Sequence, residues 1–536
     1  MTATASLRLA AVSAAAVALA GASSASAQQA KNVFLMISDG AGFNHFNATA
    51  MYQYGGIGSL PYEQAGWTKY AATTYPLNLS GTPTNDLVQD PGLVYDASKA
   101  WDTSAASDLP SFTGIPGLTN SGLFEGYDFV KTTYTDSAAA GTAIATGKRT
   151  YNGSINIDNQ GNPLQSIGEI AKANSLATGV VSSVYFSHAT PATIGGAQNL
   201  SRNNYNAIAN EMLSEGALEL IMSPNNIGGG TYDRIGGLDT YTQLQNGTHP
   251  GGWTLLEDRA SVDGLADGSI APSQGPLIAL TGDVSLQYTR PFSQDWNGNG
   301  VIDDNTASPF FPQTIDQLTE RQMAPINPGD DSQGDPFNDN PTLASMTAAA
   351  INHLDAQQDS DGIFLMVEGS HVDWAGHGAN TTRLIEEQVD FNNSIEAVMD
   401  WVMANDPNFE ETLVIVTADH EAGMVWGPDS DTVAFDQIVD NGLGEKPGMR
   451  MNSTQHTNQL VPMYARGVGA DLFAGLIEGT DTQYLDFYGM SGLDGWGNDY
   501  IGLTEMFTVM DAVIPEPSSA ALLGLFGLAG LRRRRA

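Results

Sequence analysis

Five short stretches hold residue types that could build a site for several metal ions and a phosphoryl group. They are SDGAG at 38–42, TDSAAAGTA at 135–143, VEGSHVDWAGH at 367–377, TADHE at 417–421 and TQHT at 454–457. Among their residues are the carboxylates Asp39, Glu368, Asp373 and Asp419, the histidines His377, His420 and His456, and Ser137. The chain has only 8 histidines, so finding His377, His420 and His456 in these motifs is a concentration. Zinc accepts imidazole and carboxylate and keeps a position open for substrate when three protein ligands hold it. Asp373 and His377 are spaced to share one face of a helical turn. Magnesium takes oxygen donors and retains water, which suits carboxylates beside a threonine hydroxyl. A lone serine such as Ser137 ahead of an Ala/Gly/Thr-rich stretch is more often a helix cap than a nucleophile. Here the neighbouring metal-ligand types reverse that reading, and a helix start there would welcome phosphate.

The elements that position these residues are equally readable. VFLMI at 33–37, TGVVSSV at 178–184, GIFLMVE at 362–368 and TLVIVT at 412–417 are apolar runs without alternation, the pattern of parallel strands covered on both faces. Each delivers polar residues at its carboxyl end: Asp39, then His188 and Thr190, then Glu368, then Asp419 and His420. Ligands bind beyond the carboxyl ends of strands in open α/β sheets, so four such strands predict one shared site. The expected fold is an α/β three-layer α/β/α sandwich with a central, largely parallel sheet.

These motifs resemble the alkaline phosphatase family between about 31 and 510, with TDSAAAGTAIATGKRTYNG at 135–153 the most specific piece. The resemblance implies Ser137 as nucleophile and two zinc ions and one magnesium per chain. It implies Asp373, His377 and His456 around the first zinc, Asp39, Asp419 and His420 around the second, and Asp39, Thr190 and Glu368 around the magnesium. Arg202, twelve residues after Thr190, looks like the arginine that would clamp phosphate as a planar fork. Two zinc ions about 4 Å apart stabilise the attacking and leaving oxygens of an in-line displacement. The implied reaction is hydrolysis of phosphate monoesters in two displacements through a phosphoserine. His188 stands where the enteric bacterial pattern has aspartate, and Trp374 where it has lysine. His188 is read as a partner of the magnesium waters or a polar loop residue, Trp374 as rim packing or a substrate contact. An imidazole there tolerates zinc or cobalt better than a carboxylate does. The rival readings are a phosphodiesterase of the same superfamily and a noncatalytic calcium-binding surface protein. Glu368, Thr190 and Arg202 favour the monoesterase over the first, and a complete ligand set disfavours the second.

Composition points to export. Residues 1–27 read as a signal peptide: Arg8, an apolar run at 9–20, then Ala25-Ser26-Ala27. Cysteine is absent, which excludes a thiol nucleophile, a thiolate metal site and a sulfatase formylglycine made from cysteine. Residues 513–536 resemble a PEP-CTERM sorting tail, with Pro515-Glu516-Pro517, an apolar run at 521–531 and four arginines at 532–535. Such a tail implies processing machinery at the membrane and a periplasmic, cell-surface or extracellular enzyme. The formal charge of −39 becomes −43 once both ends go, because five basic residues and one acid leave with them. That charge repels nucleic-acid backbones and argues against a nucleic-acid-binding module. The catalytic domain is expected over 28–512, with insertions at about 76–128, 222–340 and 421–453, the last near the pocket mouth. One insertion holds DWNGNGVIDDNT at 295–306, where Asp295, Asn297, Asn299 and Asp303 fall at the offsets of a calcium loop and Thr306 replaces the closing acid. A turn-rich surface loop is the plainer alternative to a bound Ca2+. The oligomeric state stays open, with a homodimer as one candidate.

Overall fold

The computed structural model describes residues 28–106, 124–214, 217–225, 227, 231–282 and 340–515. Its strands are β1 (Asn32–Ser38), β2 (Thr68–Thr73), β3 (Leu176–Ser182), β4 (Leu220–Pro224), β5 (Thr254–Leu256), β6 (Leu277–Thr281), β7 (Gly362–Gly369) and β8 (Thr412–Thr417). Four two-residue strands follow, β9 (Glu421–Ala422), β10 (Val425–Trp426), β11 (Arg450–Met451) and β12 (His456–Thr457). The last three are β13 (Val461–Gly467), β14 (Gly479–Thr480) and β15 (Asp499–Gly502). Eleven of these form one sheet in the order β14-β15-β2-β13-β8-β1-β7-β3-β4-β6-β5, in which only β13 and β14 run against the rest.

The four apolar runs read from sequence are β8, β1, β7 and β3, and they are neighbours, all parallel. Val33 to Ile37 are fully buried, because helices cover both faces and no alternation is needed. Helices Phe43–Tyr54, Leu343–Asp355 and Thr381–Asn405 pack together as one layer. Helices Ser137–Thr146, Ile167–Ala173, Ala189–Ile194 and Thr504–Val513 pack together as another. The long Thr381–Asn405 helix is pinned to the site edge of the sheet by Ser38, whose hydroxyl donates to Gln388 Oε1 (2.7 Å). Among the described residues no helix is long and apolar enough to cross a membrane.

Several expectations need correcting. The 222–340 span is not merely a loop insertion, since β5 and β6 lie inside it and extend the central sheet. These strands are only 3 and 5 residues long and sit among Gly, Pro and Ser turns, which hid them. The apolar run expected at 178–184 begins two residues earlier, at Leu176, and ends at Ser182, leaving Ser183 and Val184 in the loop. Buried core also runs past 512, because Val513 and Ile514 are 0% and 4% exposed and Ala30 N–H donates to Val513 O (2.9 Å). The calcium-loop residues Asp295, Asn297, Asn299 and Asp303, the signal segment 1–27 and the tail from 516 onward lie outside the described residues.

A second, aromatic core sits beside the main one. Phe43, Tyr95, Trp101, Tyr127, Trp426, Phe435, Tyr484 and Tyr488 are all buried in it. Asp481 fastens this core: its carboxylate accepts from Tyr95 Oη and Trp101 Nε1 (both 2.7 Å) and from the amides of Gln483 and Tyr484 (2.8 and 3.3 Å). The 421–453 stretch contributes Trp426 and Phe435 to it, so that stretch is anchored by aromatic packing next to the motifs it connects.

Candidate metal and phosphoryl-transfer site

Adjacent strand ends gather the predicted residues. Asp39 follows β1, Glu368 is the penultimate residue of β7 opposite Ile37 and Ser182, and Asp419 and His420 follow β8. Gly40 makes the turn after Asp39 at φ +77°, and a Cβ there would lie 2.6 Å from the Asp373 Cα, so the motif needs glycine for conformation and for space. Gly40 N–H donates to Asp419 Oδ1 (3.1 Å), tying the β1 and β8 turns together. Asp373 and His377 both lie on the short helix His371–His377. His456 arrives through pairing of β12 with β9, which sets its ring over that of His420 with centroids 3.7 Å apart.

Three sets of donors result. In the first, His377 Nε2 and His456 Nε2 lie 3.1 Å apart and within 3.3 and 3.2 Å of the Asp373 carboxylate oxygens. Their Nδ1–H groups donate to Thr454 O (2.6 Å) and Thr135 O (2.9 Å), which turns both Nε2 lone pairs inward. In the second, His420 Nε2 is 3.4 Å from Asp39 Oδ1 and 3.3 Å from Asp419 Oδ2. The third holds Asp39, His188 and Glu368, whose ligand atoms lie within 4.8 Å of one another. Asp373, His420 and His456 form a further such group, so the first two sets are contiguous.

The donor chemistry fits cations. Two inward lone pairs and a carboxylate repel unless a positive charge lies between them. Burial opposes protonation of His377, but the Asp373 carboxylate pushes it up to about 9. Burial, with Asp419, Asp373 and Glu368 nearby, raises Asp39 well above the carboxylate range. Burial and Asp373 push Asp419 up to about 8. Asp39 Oδ1, Thr190 Oγ1, Glu368 Oε1, Asp419 Oδ2 and His420 Nδ1 are buried and make no hydrogen bond. Buried polar atoms are normally satisfied, so this many orphans converging on one place is a ligand signature.

Ser137 is the first residue of the ten-residue helix Ser137–Thr146, and its Oγ is 3.2 Å from His420 Nε2. The cap of that helix is Asp136, which the sequence reading passed over. Asp136 Oδ1 accepts from Ala139 N (2.9 Å) and Gly153 N (3.0 Å), while Oδ2 receives Arg202 Nη1 (3.0 Å). Arg202 Nη2 donates to His188 Nε2 (3.0 Å). Arg202 is therefore tied to the residue that precedes the serine and held on two sides, with one further N–H on each terminal nitrogen. Aspartate at an N-cap was the available signal for Asp136. His188 is drawn into the third donor set and against Arg202; burial, then the Arg202 charge, pushes it well below the usual imidazole range. Trp374 is half-buried, with ring centroids 6.3 Å from His188 and 5.2 Å from His371. Ser182, Ser183 and Ser370 were also missed, since a serine near a strand end carries no distinctive pattern.

The chain is similar to known proteins. The family model described as alkaline phosphatase matches residues 119–435. The chain is 30% identical over 291 residues to alkaline phosphatase 3 of Bacillus subtilis, covering 54% of this chain and 49% of that relative, so it spans about half the length of that protein. It is 29% identical over 401 residues to the alkaline phosphatase of Escherichia coli, covering 69% of this chain and 78% of that one. The solved alkaline phosphatase of the Antarctic bacterium TAB5 superposes with a TM-score of 0.53 at 21% identity, covering 91% of this chain and 98% of the other. At that identity the likeness is one of fold.

Proposed function

Because this chain belongs to the alkaline phosphatase family, we propose that it is an exported metal-dependent phosphomonoesterase working through a phosphoserine on Ser137. The observation that carries this reading is Ser137 Oγ, 3.2 Å from His420 Nε2, at the meeting point of three cation-ready donor sets and beside the Arg202 fork. Asp373, His377 and His456 would hold one zinc, Asp39, Asp419 and His420 the other, and Asp39, Thr190 and Glu368 a magnesium. When bound, these ions would supply the charge that stabilises the attacking and leaving oxygens and makes the serine hydroxyl more acidic.

The chain's own residues do the rest. Ser137 Oγ forms a bond to phosphorus as the bond to the leaving oxygen breaks. Water then cleaves the phosphoserine, freeing inorganic phosphate and restoring the hydroxyl. Arg202 offers its two remaining terminal N–H groups to two phosphate oxygens, and Asp136 holds it in that pose. Because Asp136 also caps the Ser137 helix, nucleophile and clamp share one anchor. The preference for monoesters rests on Arg202 and the third donor set, which together suit the extra charge of a monoester. His188 keeps Arg202 turned toward the phosphate from the side opposite Asp136.

Export and sorting rest on residues 1–27 and 513–536. The contact between Ala30 and Val513 lies where β1 begins, at the opposite end of that strand from Asp39. Calcium binding at 295–306 stays a proposal of the sequence alone. The test is turnover of p-nitrophenyl phosphate by purified protein with zinc and magnesium content measured on the same sample. A metal-replete protein that leaves the monoester intact would refute the reading.

A further inference from the structure

The helix His371–His377, which carries Asp373 and His377, begins in an unusual way. Ser370 sits at its N-cap position, where a serine hydroxyl ordinarily accepts a first-turn amide. Here Ser370 has helical backbone angles (φ −79°, ψ −22°) and makes no capping bond with its side chain. Ser183, from the loop after β3, does that work: its Oγ accepts from the amides of Ser370 (2.9 Å) and His371 (3.3 Å). The Ser370 hydroxyl, fully buried, is thereby released to donate to Asp39 Oδ2 (3.2 Å).

Asp39 is the carboxylate shared by two donor sets, so its rotation decides which oxygen each set receives. With Oδ2 held by Ser370, Oδ1 faces His420 Nε2 at 3.4 Å and has no hydrogen bond of its own. Glu368 shows the same arrangement one strand away. Its Oε2 accepts from the Ser182 hydroxyl, and its Oε1 is buried without a partner. In both carboxylates a serine holds one oxygen and the other is left unsatisfied. A neutral hydroxyl suits this task, because it orients a carboxylate without the positive charge that would compete with a cation.

We propose that Ser370 is a positioning residue for the metal centre, fixing the rotation of Asp39, with Ser182 doing the same for Glu368. This rests on the metal-site reading given above. Residues that orient metal ligands typically contribute about 10–100-fold in metal affinity.

The test is equilibrium dialysis of the full-length, zinc- and magnesium-loaded protein against graded EDTA, with metal per chain measured by elemental analysis. Ser370→Ala should release metal at about 10–100-fold lower free chelator than wild type, with the melting temperature of the metal-free protein unchanged. Ser183→Ala is the contrast: it removes the cap, so it should melt earlier while retaining metal as wild type does. Should the alanine variant not fold, the isosteric pair Ser370→Thr and Ser370→Val carries the same comparison, since the two differ by the hydroxyl alone. Wild-type release by Ser370→Ala, or equal release by the Thr and Val variants, overturns the proposal and leaves the metal-site reading standing. A wild-type protein that takes up neither ion overturns both.

Discussion

Replacing Arg202 by alanine removes the cation tied to Asp136, the residue before Ser137, and to His188. Its Nη1 and Nη2 each make a 3.0 Å bond, to Asp136 and His188, which leaves one N–H apiece for phosphate. Each charge-assisted hydrogen bond contributes about 1.5–3 kcal/mol, so two give about 3–6 kcal/mol toward a bound monoester. At ~1.4 kcal/mol per decade this corresponds to roughly a 10²–10⁴-fold loss in kcat/KM for p-nitrophenyl phosphate. A diester offers one non-bridging oxygen fewer and one charge fewer, so bis-p-nitrophenyl phosphate should lose about one such bond, roughly 10–10²-fold. The wild type should strongly prefer the monoester, and the variant should erode that ratio. The fold should survive, because Asp136 Oδ1 keeps both amide bonds that cap the Ser137 helix. The lost ion pair, with side chains 19% and 18% exposed, costs about 1 kcal/mol after screening. Arg202→Lys should fall nearer to alanine than to wild type, since lysine keeps the charge but not the fork. The assay is steady-state kinetics on both esters at matched metal content. Equal losses on the two esters, or less than about a 10-fold loss on the monoester, would refute the clamp.

Asp373→Ala, His377→Ala or His456→Ala should each remove about one zinc per chain and most activity, because three ligands define a zinc site that keeps a position open; elemental analysis showing undiminished zinc would count against the assignment. Chelation should inactivate the wild type, and zinc with magnesium should restore it. Truncation after Pro515 should leave melting temperature and turnover unchanged. Truncation after Ala512 removes two side chains with 0% and 4% exposure and should lower stability by about 3–5 kcal/mol in denaturant unfolding; equal stability of the two truncations would show that the core ends earlier. Asp481→Ala strands four donors in the aromatic core and should cost about 3 kcal/mol with turnover at 25 °C preserved, so an unchanged melting curve would argue against Asp481 as the fastener.

The edge of the sheet that carries the candidate site was legible because β1, β3, β7 and β8 are buried on both faces. A strand of that kind must be written as an unbroken apolar run, and the first polar residue after it then stands out. Asp39, Glu368, Asp419 and His420 stand out in this way. His456 was found by its motif, yet its route into the site was not visible, since β9 and β12 are only 2 residues each and no periodicity marks such a pair. β5 and β6 escaped for a related reason: short strands among turn residues look like the loops around them. Asp136 and the serines escaped because their roles are relational. Nothing in the chain around Ser370 says that Ser183, far away in sequence, takes over its capping duty and frees its hydroxyl.

The central claim is that Ser137 carries the phosphoryl group between substrate and water. Acid quenching of the metal-loaded enzyme during turnover of a ³²P-labelled monoester, followed by peptide mapping, tests it directly. Label should appear as phosphoserine on the Ser137 peptide and vanish in Ser137→Ala, whose metal content stays near wild type while turnover collapses. Label on another residue, or a fully metallated Ser137→Ala enzyme turning over at the wild-type rate, would contradict it.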